Sequence, residues 1–61
     1  MANLTAKELT ALEDQLNFEH VCVCKYQAAA AETQDRTLRD CFNKHAGQHQ
    51  QSFNTLLTFL K

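Results

Sequence analysis

The chain has 61 residues, with one glycine, no proline, six basic and seven acidic residues, and a formal charge of −1. The scarcity of glycine and proline excludes a β-sandwich or barrel, and the lack of a glycine-rich loop excludes a nucleotide-binding α/β enzyme. The balanced charge argues against a nucleic-acid partner, and no apolar run is long enough to predict a membrane span. Because no apolar stretch of signal-peptide length opens the sequence, we expect an intracellular, all-α, single-domain protein.

The first helix has a clear start signal at Thr5. Glu8 follows three residues later, which is the spacing of a capping box, where each side chain binds a backbone N–H at the other position. From there the inward-facing positions recur every three or four residues, as in a helix that packs along one face. They are Leu9, Leu12, Leu16, Glu19, Val23, Tyr26 and Ala30. Four alanines at 28–31 add helix propensity, so we predict a helix over about residues 6–32.

A turn is predicted at about residues 33–35, where the pattern breaks. Asp35 is a favourable N-cap for a second helix, predicted over about residues 36–60. Its inward positions show the same spacing of three and four residues. They are Leu38, Phe42, His45, His49, Ser52, Leu56 and Phe59. Gly47 lies within this helix, where glycine costs roughly 1 kcal/mol relative to alanine.

Two long helices joined by a short turn predict an αα-hairpin. Two helices form only one layer, so each covers a single side of the other and leaves an apolar stripe exposed. We therefore expect a homodimer in which two hairpins make a ferritin-like four-helix bundle. A hairpin whose stripe binds a different protein is the alternative.

Polar residues occupy the predicted interior at mid-length. Folding the hairpin about its turn places Glu19 opposite His49, with His45 one helical turn nearer the loop. Imidazole and carboxylate together suit a transition metal, and a two-fold dimer doubles the set. The pattern predicts a metal site at Glu19, His45 and His49, with iron or zinc as the candidate ions. The alternatives are a Glu19–His49 ion pair that fixes helix register, or a histidine turned to the solvent.

The cysteines number three, so they cannot all pair within the chain. We interpret Cys22, Cys24 and Cys41 as reduced thiols that fill small apolar positions. Cys22 and Cys24 cannot chelate one ion from a continuous helix, because residues i and i+2 point about 200° apart. No loop positions a nucleophile, so we expect no enzyme, with a ferritin-like metal oxidase as the one enzymatic alternative.

Several short motifs follow one another along nearly the whole chain: Leu4-Thr5 with Glu8-Leu9, Glu19, Lys25-Tyr26, Ala31-Glu32, Thr37-Leu38-Arg39-Asp40 with Phe42, and Gln48-His49 with Phe53 and Leu56. This order and spacing resembles the coat F family of small ferritin-like spore coat proteins from spore-forming bacteria. The resemblance implies a structural or assembly protein of the forespore or spore coat, with other coat proteins as partners.

The alternative function is a metal-binding or redox protein of the ferritin-like class that uses an intersubunit Glu/His site, and it is based on Glu19, His45 and His49. Ferritin-like proteins carry the metal motif Glu-x-x-His on the second helix. With His49 as the histidine, Ala46 occupies the glutamate position here, and His45 stands one residue earlier as its substitute. The full set of carboxylate ligands for two iron ions is therefore absent from the motif.

Overall fold

The structure, a computed structural model, describes residues 3–60 as two helices packed side by side. Helix α1 spans Ala6–Glu32 and helix α2 spans Arg36–Leu57, followed by a 3₁₀-helix at Thr58–Leu60. The predicted all-α helical hairpin is confirmed. It is an elongated body of 46 × 15 × 11 Å.

Each helix starts at a side-chain cap. The Thr5 hydroxyl accepts a bond from the Glu8 N–H, and the Glu8 carboxylate accepts one from the Thr5 N–H, both at 3.0 Å. At the start of α2 the Asp35 carboxylate accepts a bond from the Leu38 N–H at 2.9 Å. These bonds satisfy backbone donors that have no partner within the helix, and they fix where the two helices begin.

The turn between the helices is held by backbone and side-chain bonds from both sides. The Thr33 N–H donates to the Ala29 carbonyl at 3.0 Å, which closes α1. The Arg39 guanidinium donates to the Thr33 carbonyl at 3.1 Å and ties the first turn of α2 back to the loop. The Thr33 hydroxyl accepts a bond from the Asp35 N–H at 3.2 Å. The short connection therefore aligns the helices side by side.

The C-terminal end differs from the prediction of a helix to residue 60, because α-helical bonding stops at Leu57. The Thr58 N–H bonds to the carbonyls of Leu56 and Thr55, and its hydroxyl donates to the Thr55 carbonyl at 2.6 Å. The last turn therefore tightens into a 3₁₀ conformation, as is frequent at the end of an α-helix.

The core of the described chain is small. Its buried residues are Glu19, Val23, Ala30 and Ala46, and none of its large side chains is fully buried. Four residues were predicted to face inward but are exposed: Leu9, Leu38, Ser52 and Phe59. A row spaced at three and four residues repeats every 3.5 residues on average, so it drifts around a straight helix of 3.6 residues per turn. Seam positions far from the centre rotate out of contact with the single neighbouring helix.

Within residues 3–60, neither helix combines the length and the hydropathy needed to cross a lipid bilayer. The expectation of no membrane-spanning helix is therefore confirmed for the described chain.

Candidate functional site: the Glu19–His49 pair

The contact at mid-length of the hairpin joins one residue from each helix. His49 Nδ1 lies 2.6 Å from Glu19 Oε1, and the Gln15 amide donates to Glu19 Oε2 at 2.7 Å. A carboxylate can only accept, so the imidazole donates its Nδ1–H. Both carboxylate oxygens therefore have a partner, which is the condition for burying a charged group at modest cost. Sequence spacing had placed Glu19 and His49 at the same level, and the structure brings them together.

The pKa of the Glu19 carboxyl is lowered from its ordinary value of 4.5, first by the hydrogen bond from His49 and next by the one from Gln15. Both bonds favour the ionised form, while burial opposes it. Glu19 is consequently the anionic partner of the contact. A shift of one helical turn would move the partners apart by about 5.4 Å, so the bond specifies a single register of the two helices.

Aromatic rings surround the imidazole of this pair. The Tyr26 ring is stacked on His49 with centroids 5.6 Å apart and an angle of 7° between the planes. The Phe18 ring meets His49 edge-on, with centroids 6.4 Å apart and an angle of 82°. Tyr26 also lies against Phe42, 6.1 Å between centroids. Packing on two sides limits the rotation of the imidazole and keeps its Nδ1–H directed at Glu19.

His45 does not join the pair, although the sequence predicted all three residues at one metal site. Its ring packs against Tyr26 instead, with centroids 5.4 Å apart. In the described part of a single chain, no three His, Cys, Asp or Glu residues are grouped so that they could hold a metal ion. The donors of one chain therefore do not complete a site, and the metal site at Glu19, His45 and His49 stays a prediction that requires a second copy.

Two residues of this region were missed by sequence reasoning. Gln15 was not assigned, although it precedes Glu19 by four residues, the spacing at which helical side chains meet. Ala46 was considered only as an absent ligand, yet it is buried between the helices. A small residue at that position lets the helix backbones approach closely.

An open groove of about 580 Å³ lies beside the pair, towards the open end of the hairpin. It is lined by Gln15, Glu19, Gln48, Gln51, Ser52, Thr55 and Leu56. Apart from Glu19, whose oxygens are already bonded, these lining residues carry no formal charge. The groove offers amide and hydroxyl groups with apolar atoms between them, which suits an uncharged side chain better than an ion.

The three cysteines are free. Their interpretation as buried apolar residues is wrong for the single chain, because Cys24 and Cys41 are exposed and Cys22 is half-buried. Cys24 Sγ lies 3.8 Å from His20 Nε2, on the side of the hairpin where His20 packs against Phe53. The thiols are exposed or half-buried because two helices form a single layer, and the chain has no further layer to cover the thiols on its broad sides.

Comparison of the chain with protein-family models, with curated proteins and with solved structures gave no match.

Proposed function

We propose that the chain is a structural helical hairpin that works as part of an assembly, and that the assembly is a bacterial spore coat. The observation that carries the structural role is the small core, in which no large side chain of residues 3–60 is fully buried. Such a chain gains most of its stability from what it packs against. The spore coat is proposed from the sequence resemblance to the coat F family, which also implies other coat proteins as partners.

The first partner we propose is a second copy, giving a homodimeric four-helix bundle. The chain exposes 4793 Å² of surface, whereas a compact monomer of 7.0 kDa exposes roughly 4,000 Å². The excess of roughly 800 Å² equals the area that each partner contributes to a standard stable interface. The Cα radius of gyration of 14.3 Å, against about 10–11 Å for a compact chain of this length, agrees with a half-bundle.

The coat role is tested by expressing a fluorescent fusion from the native promoter during sporulation. We expect signal on the forespore and then on the coat of the released spore. Signal spread evenly through vegetative cells, and absent from the forespore, would overturn the coat assignment while leaving the structural hairpin untouched.

The alternative proposal is a metal-binding or redox protein of the ferritin-like class, with iron or zinc at Glu19, His45 and His49. The observation that favours it is the Glu19–His49 contact at mid-length, which a two-fold dimer would duplicate around one axis. Binding would require release of the Nδ1–H bond or use of the other ring nitrogen, since imidazole binds metals through an unprotonated nitrogen.

Elemental analysis of the purified chain, prepared with and without oxygen, separates the two proposals. The matched control is a His45→Ala, His49→Ala double variant. A metal-binding protein would carry stoichiometric metal that the double variant loses. Equal trace amounts of iron, zinc and copper in both proteins would overturn the metal proposal.

A further inference from the structure

One side of α1 presents a row of uncharged residues that α2 leaves exposed or only partly covered. Positions 11, 15, 18, 22 and 29 lie within one stripe of the helix at 100° per residue. They are Ala11, Gln15, Phe18, Cys22 and Ala29; none of these five is charged, and Lys25 lies about 20° beyond the edge of the stripe. Phe18 is the largest and is 56% exposed. A large exposed aromatic residue in an uncharged row is typical of an interface rather than of a solvated helix face.

A second uncharged row runs along α2 at intervals of four, three, four, three and four residues. It consists of Cys41, His45, Gln48, Ser52, Thr55 and Phe59. Two observations show that both rows lie on the same broad side of the hairpin. The groove is lined by Gln15 from one row and by Gln48, Ser52 and Thr55 from the other. Phe18 touches the edge of His49, which places it above the junction of the helices.

We call these two rows the uncharged face. Charged residues lie elsewhere on both helices, and examples on the opposite broad side are Glu13 and Arg39. Interface cores are depleted of charged residues because each buried charge must lose its hydration. The two broad sides of the hairpin therefore differ in their capacity to bind another protein surface.

We infer that a second copy of this chain docks on the uncharged face, with Phe18 of each copy entering the groove of the other. This inference rests on the proposed homodimer and specifies its interface. Phe18 lies near the middle of α1, and the groove begins beside it at Gln15 and Glu19 and extends along α2. A two-fold axis through the face can therefore bring each phenyl ring to the partner's groove. The excess surface of roughly 800 Å², taken over the whole chain, is the area that one broad face would bury in a standard interface.

Sedimentation equilibrium of three proteins tests the face: wild type, Phe18→Asp and Val21→Asp. Val21 is the matched control because it lies on the same helix, is 60% exposed, and stands outside the uncharged row on the side of α1 opposite α2. We expect a wild-type dimer at micromolar concentration and a dissociation constant raised on the order of 30-fold or more by Phe18→Asp, the effect of losing an interface anchor. Val21→Asp is expected to leave the dissociation constant within about threefold of wild type.

The native cysteines provide a second readout that needs no variant. Cys41 lies on the uncharged face and Cys24 lies off it, and both are exposed in the single chain. We expect alkylation of Cys41 by N-ethylmaleimide to slow as protein concentration rises through the dimerisation range, while alkylation of Cys24 keeps its rate. If circular dichroism shows that Phe18→Asp does not fold, the alkylation rates of Cys41 and Cys24 still test whether a second copy docks on the uncharged face.

The outcomes are distinguishable. A Phe18→Asp protein that folds and dimerises like wild type, or equal protection of Cys24 and Cys41, overturns the face while the homodimer stands. A wild-type chain that stays monomeric overturns both the face and the homodimer, and leaves the coat role to the fluorescent fusion. A monomer that binds a different purified protein only when Phe18 is intact assigns the face to that protein and overturns docking of a second copy.

Discussion

The half of the hairpin next to the turn is packed differently from the half at the open end. Every residue that is buried within 3–60 lies in the stretch from Glu19 to Ala46, which contains the turn. At the open end the larger apolar side chains Leu9, Leu57, Phe59 and Leu60 are exposed. Small residues let two helices approach and bury each other, whereas long side chains need a further layer. The comparison indicates that the turn half stabilises the single chain more than the open half does, although Val21 and Leu38 of the turn half are exposed as well.

Val23→Asp is the change expected to have the largest effect on this comparison. Val23 is 6% exposed, so the substitution places a carboxylate at a buried position between the helices. We expect a loss of about 3 kcal/mol or more in the free energy of unfolding. Urea denaturation followed by circular dichroism, at one fixed protein concentration, measures it.

Val21→Asp is the control for this substitution, because the same change two residues earlier falls on a 60% exposed side chain. We expect it to alter stability by no more than about 0.5 kcal/mol. Similar losses in both variants would mean that the turn half is not the packed half, and the comparison would fail.

Glu19→Gln tests the contact between Glu19 and His49, which lies where the two halves of the hairpin meet. The bonds from His49 and Gln15 lower the pKa of Glu19, so its contribution to stability is present above 4.5 and is lost as the pH falls through the lowered pKa. We expect the variant to be less stable than wild type at neutral pH, by less than Val23→Asp, and to lose less stability on acidification.

Glu13→Gln is the control for the pH series, since Glu13 is an exposed carboxylate on the same helix. Glu8 adds its own acid dependence, because the Thr5 backbone and side-chain bonds lower its pKa as well. The acid response of the Glu19→Gln variant should therefore shrink without vanishing. An unchanged pH profile would show that the pair with His49 contributes nothing to the fold.

The hairpin and the Glu19–His49 contact were predictable from sequence, since both depend on periodicity and on counting residues from the turn. The separation of His45 from that pair was not predictable, because it depends on how the ring of Tyr26 packs. The spacing of three and four residues predicted that Ser52 and Phe59 face α1. They are exposed, because a 3.5-residue repeat rotates gradually around a helix of 3.6 residues per turn. The burial of Ala46 was missed since a small residue at a helix crossing carries no signal in a hydrophobic pattern. Sequence thus specified levels along the hairpin better than rotation around each helix.

Removing the two helix caps tests the contrast between the ends of the hairpin through smaller expected losses of stability. Asp35→Ala removes the cap of α2 in the turn half and should cost about 1 kcal/mol. Thr5→Ala removes the cap of α1 at the open end, where fraying already reduces the benefit of the bond, and should cost about 0.5 kcal/mol. Denaturation midpoints of both variants give the order. A larger loss of stability from Thr5→Ala than from Asp35→Ala would mean that the open end of the hairpin is the more stable one.

Gly47→Ala is expected to have a small effect and to stabilise the protein. A methyl group at position 47 would meet nothing within 4 Å, and glycine inside a helix is less favourable than alanine by about 0.8 kcal/mol. Since position 47 lies outside the uncharged face, the dimer dissociation constant should not change.

The adjacent substitution Ala46→Gly is the natural counterpart to Gly47→Ala. It removes a buried methyl group and adds a glycine to the same helix, so it should destabilise by more than Gly47→Ala stabilises. Urea denaturation and sedimentation of the two variants read out folding and association separately. If Gly47→Ala weakened the dimer, position 47 would be a point of close approach between copies, and the docking face would have to be moved to the opposite side of the hairpin.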